Sequence, residues 1–267
     1  MEFEVEFSVK IYESSPMSAF AGKSEKNPGI LWTKRQKHAI LIGKFPAKGR
    51  SFGEKGMKVY SLCSASFASV CYFLTDDEEK EAVIIDPSAS PDAVAAGFGR
   101  ALPPVSRILL THAHFDHMLA LDAWREKTGA PVLVHPEDAG AFSDSRRNAY
   151  RLFFGGDMVF SPPDGSLSSG ENIPLGRETL RVLHTPGHTP GSCVFDSGAN
   201  LFTGDTLFAG GDFGRTDLPG GNAKTLARSL RLLLALPGER RVFPGHGEQT
   251  SLFDCRAALR YQAETIL

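Results

Sequence analysis

With 267 residues, of which 42% are hydrophobic and 22% charged, the chain is long enough for one large globular domain or two small ones. The formal net charge of −2 gives no reason to expect a nucleic-acid or membrane partner, and no apolar run approaches the ~20 residues that span a bilayer. The first ten residues lack the basic and apolar regions of a signal peptide, which favours a cytoplasmic protein.

The first 56 residues differ from the rest of the chain in charge. They carry 10 Lys and Arg against 6 Asp and Glu, whereas residues 57–267 carry 19 against 25. We expect residues 1–56 to be an N-terminal extension that is either partly disordered or precedes the natural translation start at Met57. Residues 57–267 are expected to form the main domain.

From Met57 onward, short strands come first and then alternate with helices. Ser90 and Pro91 open the first helix as N-cap and first helical residue, and Gly129 ends a second helix over residues 118–127. Strands are predicted over residues 58–63, 70–75, 82–86, 107–111, 131–135, 180–183, 191–196, 201–203 and 241–243.

The second half of the chain contains a segment that is harder to interpret. Residues 137–178 are rich in Gly, Ser and Pro, and we expect short helices and loops there. Residues 222–235 form an amphipathic helix, and residues 252–266 form the last helix. This order of elements predicts an α/β sandwich with helices outside two packed sheets.

The four cysteines form neither a CxxC pair nor a dense disulfide framework. Cys71 and Cys193 fall within apolar runs that are typical of strands. We therefore predict free thiols that pack as small hydrophobic side chains, as is usual in a reducing compartment.

The densest cluster of metal-ligating side chains is the segment Thr111-His112-Ala113-His114-Phe115-Asp116-His117, which follows a predicted strand. Alternate residues of an extended chain point the same way, so His112 and His114 can converge on one cation. Asp116 and His117 follow at the start of the next helix and point to a second place nearby. Imidazole nitrogen and carboxylate oxygen are the usual zinc ligands where thiolate is absent.

Three further loops each present one such side chain just after a strand: His188, Asp205 and His246. Their sequences are TPGHTPG over residues 185–191, TGDT over 203–206 and FPGHG over 243–247. Gly and Pro in these loops permit tight turns and close backbone approach to an ion. We predict that the four loops meet at one edge of the sandwich and form a preorganised cleft.

As a set, the order HxHxDH, GH, GD and GH resembles that of the metallo-β-lactamase superfamily, and within it the glyoxalase II-like hydrolases. The resemblance covers nearly all of residues 57–250 and implies an αββα sandwich of two mixed sheets with helices on the outer faces. It implies two divalent metal ions, zinc before iron or manganese. The implied ligands are His112, His114 and His188 for the first metal, Asp116, His117 and His246 for the second, and Asp205 between them.

The resemblance also implies a hydrolase in which Asp116 orients a metal-bound hydroxide against a small acyl substrate such as hydroxyacylglutathione. Only about 21 residues follow His246, too few for the helical domain that recognises glutathione in glyoxalase II, so the exact thioester stays open. Arg215 either pairs with Asp217 and pins its loop or binds the substrate. His135 and His184 are candidates for bracing the ligands.

Other activities use the same scaffold. A persulfide dioxygenase would use one iron held by His112, His188 and Asp205, although the Pro-Gly-His-Gly around His246 looks more like the hydrolase pattern. A lactonase or β-lactamase shares the ligand set, although the GRTDLPGG of residues 214–221 argues against both. The acidic balance of residues 57–267 argues against a nuclease, and the complete ligand set argues against a non-catalytic binding module.

Overall fold

The computed structural model describes residues 56–256. Almost all of the predicted N-terminal extension, residues 1–56, lies outside the described residues. Of the predicted last helix, Leu252–Arg256 is helical and the rest also lies outside them. No helix within residues 56–256 is long and apolar enough to cross a membrane.

The first sheet has six strands that lie in chain order, the first two pairs antiparallel and the others parallel. Five of them were expected from apolar runs of β-branched and aromatic residues. The strands are β1 (Lys58–Cys63), β2 (Val70–Thr75), β3 (Ala82–Ile85), β4 (Val105–Leu109), β5 (Val132–Val134) and β6 (Gly165–Ser166).

The second sheet also has six strands in chain order, antiparallel except for one parallel pair between its fourth and fifth strands. Both sheets are therefore mixed, because each contains parallel and antiparallel pairs, as expected for the αββα fold. The strands are β7 (Asn172–Leu175), β8 (Glu178–His184), β9 (Cys193–Asp196), β10 (Asn200–Gly204), β11 (Arg241–Pro244) and β12 (Thr250–Ser251).

Helices cover the outer face of each sheet. Helices α1 (Pro91–Phe98) and α2 (Leu121–Thr128) pack on the first sheet, where the ring of Trp124 stacks on Phe73 with centroids 6.3 Å apart. Helix α4 (Ala223–Leu234) packs its leucine stripe on the second sheet. Helix α3 (Tyr150–Phe154) is a single short turn and has no buried residue.

A third hydrophobic layer lies between the two sheets and holds the sandwich together. Val83 and Ile85 of β3 meet Val182, Phe195 and Phe202 of the second sheet, and all five are fully buried. Burial of apolar area at ~25 cal/mol per Å² makes such a layer the main source of stability. The predicted fold class is confirmed.

Several local predictions are also confirmed. Ser90 caps α1 by accepting a hydrogen bond from the Ala93 N–H at 3.2 Å, and Gly129 ends α2 at φ 66°. Cys71 and Cys193 are buried free thiols, and burial raises the pKa of Cys71 to about 12.

Two local predictions need correction. The helix expected over residues 118–127 begins at Leu121, since Ala120 has a non-helical φ of −112°, and Phe115–His117 form a separate 3-10 turn. The segment 137–178, expected to hold only helices and loops, also contributes β6 and β7. Pro174 lies in β7, an edge strand, where its missing N–H leaves no gap in the ladder.

Candidate metal centre

The residues predicted as metal ligands lie together where the strands of both sheets end. His112 follows β4, His188 lies between β8 and β9, Asp205 follows β10, and His246 follows β11. Four groups of three side chains have ligand atoms within 4.8 Å of one another, and two of these groups consist of predicted ligands alone. The first group is His112, His114 and His188, and the second is Asp116, His117 and His246.

The first group consists of three buried imidazoles whose rings lie close together. The rings of His112, His114 and His188 have centroids 4.6–4.8 Å apart. Nε2 of His188 lies 2.9 Å from Nδ1 of His114. Burial, together with the neighbouring imidazoles, holds the pKa of His112 and of His114 well below the usual value, so both rings are neutral. Neutral imidazole is the form that binds a metal.

Hydrogen bonds on the far side of two rings fix which nitrogen faces the centre. Nδ1 of His188 lies 2.7 Å from the carbonyl of Arg215, which can only accept, so Nδ1 carries the proton and Nε2 offers its lone pair. Thr111 donates its hydroxyl proton to Asp86 at 2.6 Å and therefore accepts from Nδ1 of His112 at 3.1 Å. Nε2 of His112 is thus also free to bind.

The second group combines a carboxylate with two imidazoles. Nε2 of His246 lies 3.2 Å from Asp116 and 3.3 Å from Nε2 of His117. Burial alone would lower the pKa of His117, but the carboxylates of Asp116, Asp205 and Asp86 raise it to about 10. These carboxylates attract positive charge, and a bound cation would take the place of that proton.

Asp205 lies between the two groups. One of its oxygens is 3.4 Å from Nε2 of His188 in the first group, and the other is 3.5 Å from Nε2 of His117 in the second. This carboxylate is therefore placed to contact ions held by either group.

Asp86 supports both groups from behind, although no sequence motif includes it. It accepts hydrogen bonds from the backbone and the hydroxyl of Thr111, and its second oxygen lies 3.0 Å from Nδ1 of His117. Its backbone has a φ of 51°, which Asp tolerates better than most residues. One sequence feature could have indicated this role. Asp86 directly follows strand β3, just as predicted ligands follow β4, β10 and β11.

Asp138 is a second residue that no sequence motif includes. It joins the loop of His114 to the loop of His188, because its carboxylate accepts from the backbone N–H of Ala113 and of Gly191 and from the Thr189 hydroxyl. Asp138 is buried, and three donors satisfy it. A single acidic residue in an irregular segment carries no sequence signal for this role.

Orphaned polar atoms show that the side chains fit a bound cation. Nε2 of His112 and Oδ1 of Asp205 are buried and have no hydrogen-bond partner among the described residues. Burying such atoms without a partner is unfavourable, and cations held by the two groups would accept these lone pairs and remove the penalty. The ligands also explain why residue 245 is a glycine. A Cβ at this position would collide with the carboxylate of Asp205 and the ring of His117, both of which belong to the ligand set.

The two remaining predicted histidines lie apart from the ligand groups. The rings of His135 and His184 stack with centroids 3.8 Å apart, and neither lines the cavity described below. Nε2 of His184 donates to the carbonyl of Pro190 at 2.8 Å, within the loop that carries His188. His184 thus contacts that loop, whereas the described contacts of His135 do not reach a ligand.

A cavity of about 370 Å³ opens onto the ligands. We call its polar side the metal wall and its apolar side the aromatic wall, and Arg215 lies at the cavity with them. Arg215 pairs with Asp217 through two hydrogen bonds of 2.6 Å. The metal wall is His114, Asp116, His188, Asp205 and His246, and the aromatic wall is Phe67, Phe115, Phe153, Phe154 and Phe208.

Comparison with known families agrees with this geometry. A family described as the metallo-beta-lactamase superfamily matches residues 66–246, which include all seven predicted ligands. The chain belongs to the metallo-β-lactamase superfamily. The expected family resemblance is confirmed.

Relatives in this superfamily carry hydrolase names. A protein of Bacillus subtilis named as a probable metallo-hydrolase is 38% identical over 185 residues, covering 68% of this chain and 86% of the relative. A hydroxyacylglutathione hydrolase of Haemophilus influenzae is 32% identical over 200 residues, covering 73% of this chain and 93% of the relative.

Solved structures of superfamily members have the same fold. The BLEG-1 B3 metallo-β-lactamase is 35% identical with a TM-score of 0.69, covering 74% of this chain and 95% of that one. TTHA1623, solved in a di-iron-bound form, is 37% identical with a TM-score of 0.61, covering 73% and 96%. ETHE1 from Myxococcus xanthus is 28% identical with a TM-score of 0.62, covering 78% and 85%.

Proposed function

We propose that this protein is a metal-dependent hydrolase that cleaves a small thioester of the hydroxyacylglutathione kind, with two divalent metal ions, most simply zinc. The observation that carries the proposal is the pair of three-residue ligand groups that share Asp205 beside one cavity. Two adjacent cation sites are typical of enzymes that hydrolyse carbonyl and phosphoryl compounds.

The assignment of ligands follows the two groups. His112, His114 and His188 would hold one ion, and the more exposed group of Asp116, His117 and His246 would hold the other. A set of nitrogen and oxygen ligands without thiolate suits zinc and also iron or manganese. The di-iron form of a relative 37% identical to this chain keeps iron among the candidates.

The metal ions, when bound, supply an activated water and polarise the carbonyl of the substrate. Asp116 is the residue that orients the attacking water, because its carboxylate lines the cavity and lies 3.2 Å from Nε2 of His246. His117 and His246 counteract the effect of burial and keep the pKa of Asp116 below its usual range, so this acceptor is ionised. The overall reaction adds water across the C–S bond and yields a carboxylic acid and a thiol.

The name of the Haemophilus relative supports a thioester as the substrate, at 32% identity over nearly its whole length. The B3 metallo-β-lactamase at 35% identity supports β-lactam hydrolysis as a competing activity. The second ligand group favours a two-metal hydrolase over the one-iron alternative, since its three side chains converge within 4.8 Å.

The test is metal analysis of the purified protein combined with three assays. We expect about two metal ions per chain, hydrolysis of S-lactoylglutathione, no oxygen uptake with glutathione persulfide and no cleavage of a chromogenic cephalosporin. One iron per chain with oxygen uptake and no thioester cleavage would overturn the proposal in favour of a dioxygenase. Cleavage of the cephalosporin alone would overturn it in favour of a β-lactamase.

A further inference from the structure

The aromatic wall is an unusual surface to leave exposed. Phe153 and Phe154 are neighbours on the short helix α3, and each is 53% exposed. Adjacent exposed apolar side chains of this size commonly mark a binding surface. Here the surface is continuous with the metal centre, because Phe115 lies between His114 and Asp116 in the chain and all three line the cavity.

The rings of the aromatic wall pack on one another in edge-to-face geometry. Phe115 has ring centroids 5.0 Å from Phe67 and 5.7 Å from Phe154, with interplanar angles of 89° and 87°. Phe153 lies 6.2 Å from Phe115. Aromatic pairs prefer this arrangement. The guanidinium of Arg215 lies 5.9 Å over the ring of Phe153, and the other rings of the wall present edges and faces to a further apolar group.

The segment that carries this wall is held in place by buried hydrogen bonds. The side-chain amide of Asn148, fully buried, donates to the carbonyls of Ala141 and Met158, and its carbonyl oxygen accepts from the N–H of Tyr150. The carbonyl of Asn148 also accepts from the N–H of Phe115 at 3.0 Å. The aromatic wall is therefore built before a ligand arrives, which lowers the entropic cost of binding.

Recognition of the charged glutathione moiety has little support in the same cavity. Among the described residues that line it, Arg215 is the one Lys or Arg, and Asp217 already holds its guanidinium through two bonds. The aromatic wall therefore offers a surface for an uncharged acyl substituent.

We infer that the preferred substrate is a thioester whose acyl group carries an aromatic ring or a branched aliphatic chain, bound against the aromatic wall. The acyl substituent is attached directly to the carbonyl carbon, so it lies next to whatever holds that carbonyl at the metal wall. This inference rests on the proposed thioester hydrolysis and adds its specificity. A hydrophobic pocket discriminates about 10- to 200-fold for a single methylene, and a phenyl group is larger.

The test compares two thioesters that differ in one substituent. S-mandeloylglutathione and S-lactoylglutathione share the thiol and the α-hydroxyl, and a phenyl ring in the first replaces a methyl group in the second. With the metal-loaded protein we expect kcat/KM for the mandeloyl compound to be at least about tenfold higher. Equal values, or a preference for the lactoyl compound, would overturn the inference and leave the proposed function standing.

Variants connect the preference to the aromatic wall. The double variant Phe153→Ala/Phe154→Ala should bring the ratio of the two kcat/KM values towards one. Leu152→Ala is the matched control, because Leu152 is 52% exposed on the same helix and does not line the cavity. An unchanged ratio in the double variant would contradict the inference, and the single variant Phe153→Ala provides the same comparison with a smaller change.

A binding measurement separates the inference from the proposed function. If neither thioester is cleaved, the proposed function fails, and calorimetric titration with mandelate and with lactate still tests the apolar surface. At least about tenfold tighter binding of mandelate, lost in the double variant and kept in Leu152→Ala, supports the surface. Equal binding of the two acids would refute it.

Discussion

The metal wall of the cavity is polar, and hydrogen bonds hold its side chains in place. In the aromatic wall, by contrast, Phe153 and Phe154 are each about half exposed to solvent. The ligand groups behind the metal wall are ordered by residues such as Asp86, which holds the ring of His117 and does not face the cavity. The aromatic wall is ordered by its own ring contacts and by Asn148 beneath it. The comparison suggests that one wall sets the chemistry and the other sets the substrate.

If the metal wall sets the chemistry and the aromatic wall sets the substrate, the rates for two thioesters should respond differently to changes in each wall. A change in the metal wall should lower the rates for S-mandeloylglutathione and S-lactoylglutathione by the same factor, because both share the reacting bond. A change in the aromatic wall should alter the ratio of the two rates.

The largest effect is expected for Asp205→Asn. The substitution removes the charge that lies within 3.5 Å of both His117 and His188, and we expect a fall in kcat of about 10³-fold or more for both thioesters. Metal content per chain, measured by elemental analysis, should fall as well. Asp212→Asn is the control, since Asp212 is exposed on the same loop. Full activity and metal content in Asp205→Asn would contradict the role of this carboxylate.

Asp86→Asn tests the support behind the metal wall. Asn tolerates the φ of 51° at this position, so the backbone is conserved. One oxygen of Asp86 accepts from the Thr111 N–H, and the other contacts the Thr111 hydroxyl and Nδ1 of His117. An amide has a single acceptor oxygen, so in either orientation its NH2 group faces a donor on one of the two sides, and the His117 ring loses its fixed orientation. We expect metal affinity to fall about 10- to 100-fold in competition with a chelator.

The matched control for this measurement is Asp92→Asn, whose side chain is 92% exposed on helix α1. Metal affinity equal to that of the unsubstituted protein in Asp86→Asn would show that the hydrogen bonds of Asp86 do not position the ligands. A changed ratio between the two thioesters would show that the two walls are not independent.

Asp138→Ala tests the link between the two loops of the first ligand group. The change leaves the N–H groups of Ala113 and Gly191 and the Thr189 hydroxyl without their buried acceptor. We expect the free energy of unfolding to fall by about 2–4 kcal/mol. Urea unfolding measures it, with Glu137→Ala as the exposed neighbouring control. A loss no larger than that of the control would contradict the account of this residue.

The smallest effect is expected for Asp217→Asn at the rim of the cavity. The hydrogen bonds and charge of Arg215 lower the pKa of Asp217 to about 2, below its ordinary value of 3.8. The pair is therefore intact above about pH 4 and is lost only as the pH falls through about 2. Exposed ion pairs contribute little, so KM for either thioester should change by no more than about fivefold. This change in KM should be the same at every pH between 5 and 9. A rise in KM of more than about fivefold would instead assign Arg215 to substrate binding.

The sequence was sufficient to predict which residues lie together in the two ligand groups, for a reason that applies to motifs in general. His112, His114 and His117 lie close together in the chain, and Asp205 and His246 follow strands within recognisable glycine loops. Such short-range patterns can be interpreted without knowing the tertiary contacts. The strands between them could be predicted because they are runs rich in β-branched and aromatic residues between turn residues, although most are only three to seven residues long.

The supports and the aromatic wall could not be predicted, because they depend on contacts between distant segments. Asp86 and His117 are 31 residues apart, and Asp138 and Gly191 are 53 apart. Phe153 and Phe154 were visible as aromatic residues in an irregular segment, but their place at the cavity depends on the contact with Phe115. Strand β7 was missed because Asn172 and Pro174 disfavour strands away from an edge.

The most direct test of the two-group centre is calorimetric titration of the metal-free protein with Zn²⁺. Two equivalents per chain should bind, and His246→Ala should remove one of them while the equivalent held by His112, His114 and His188 stays. Saturation at one equivalent in the unsubstituted protein, with no change in His246→Ala, would contradict the account.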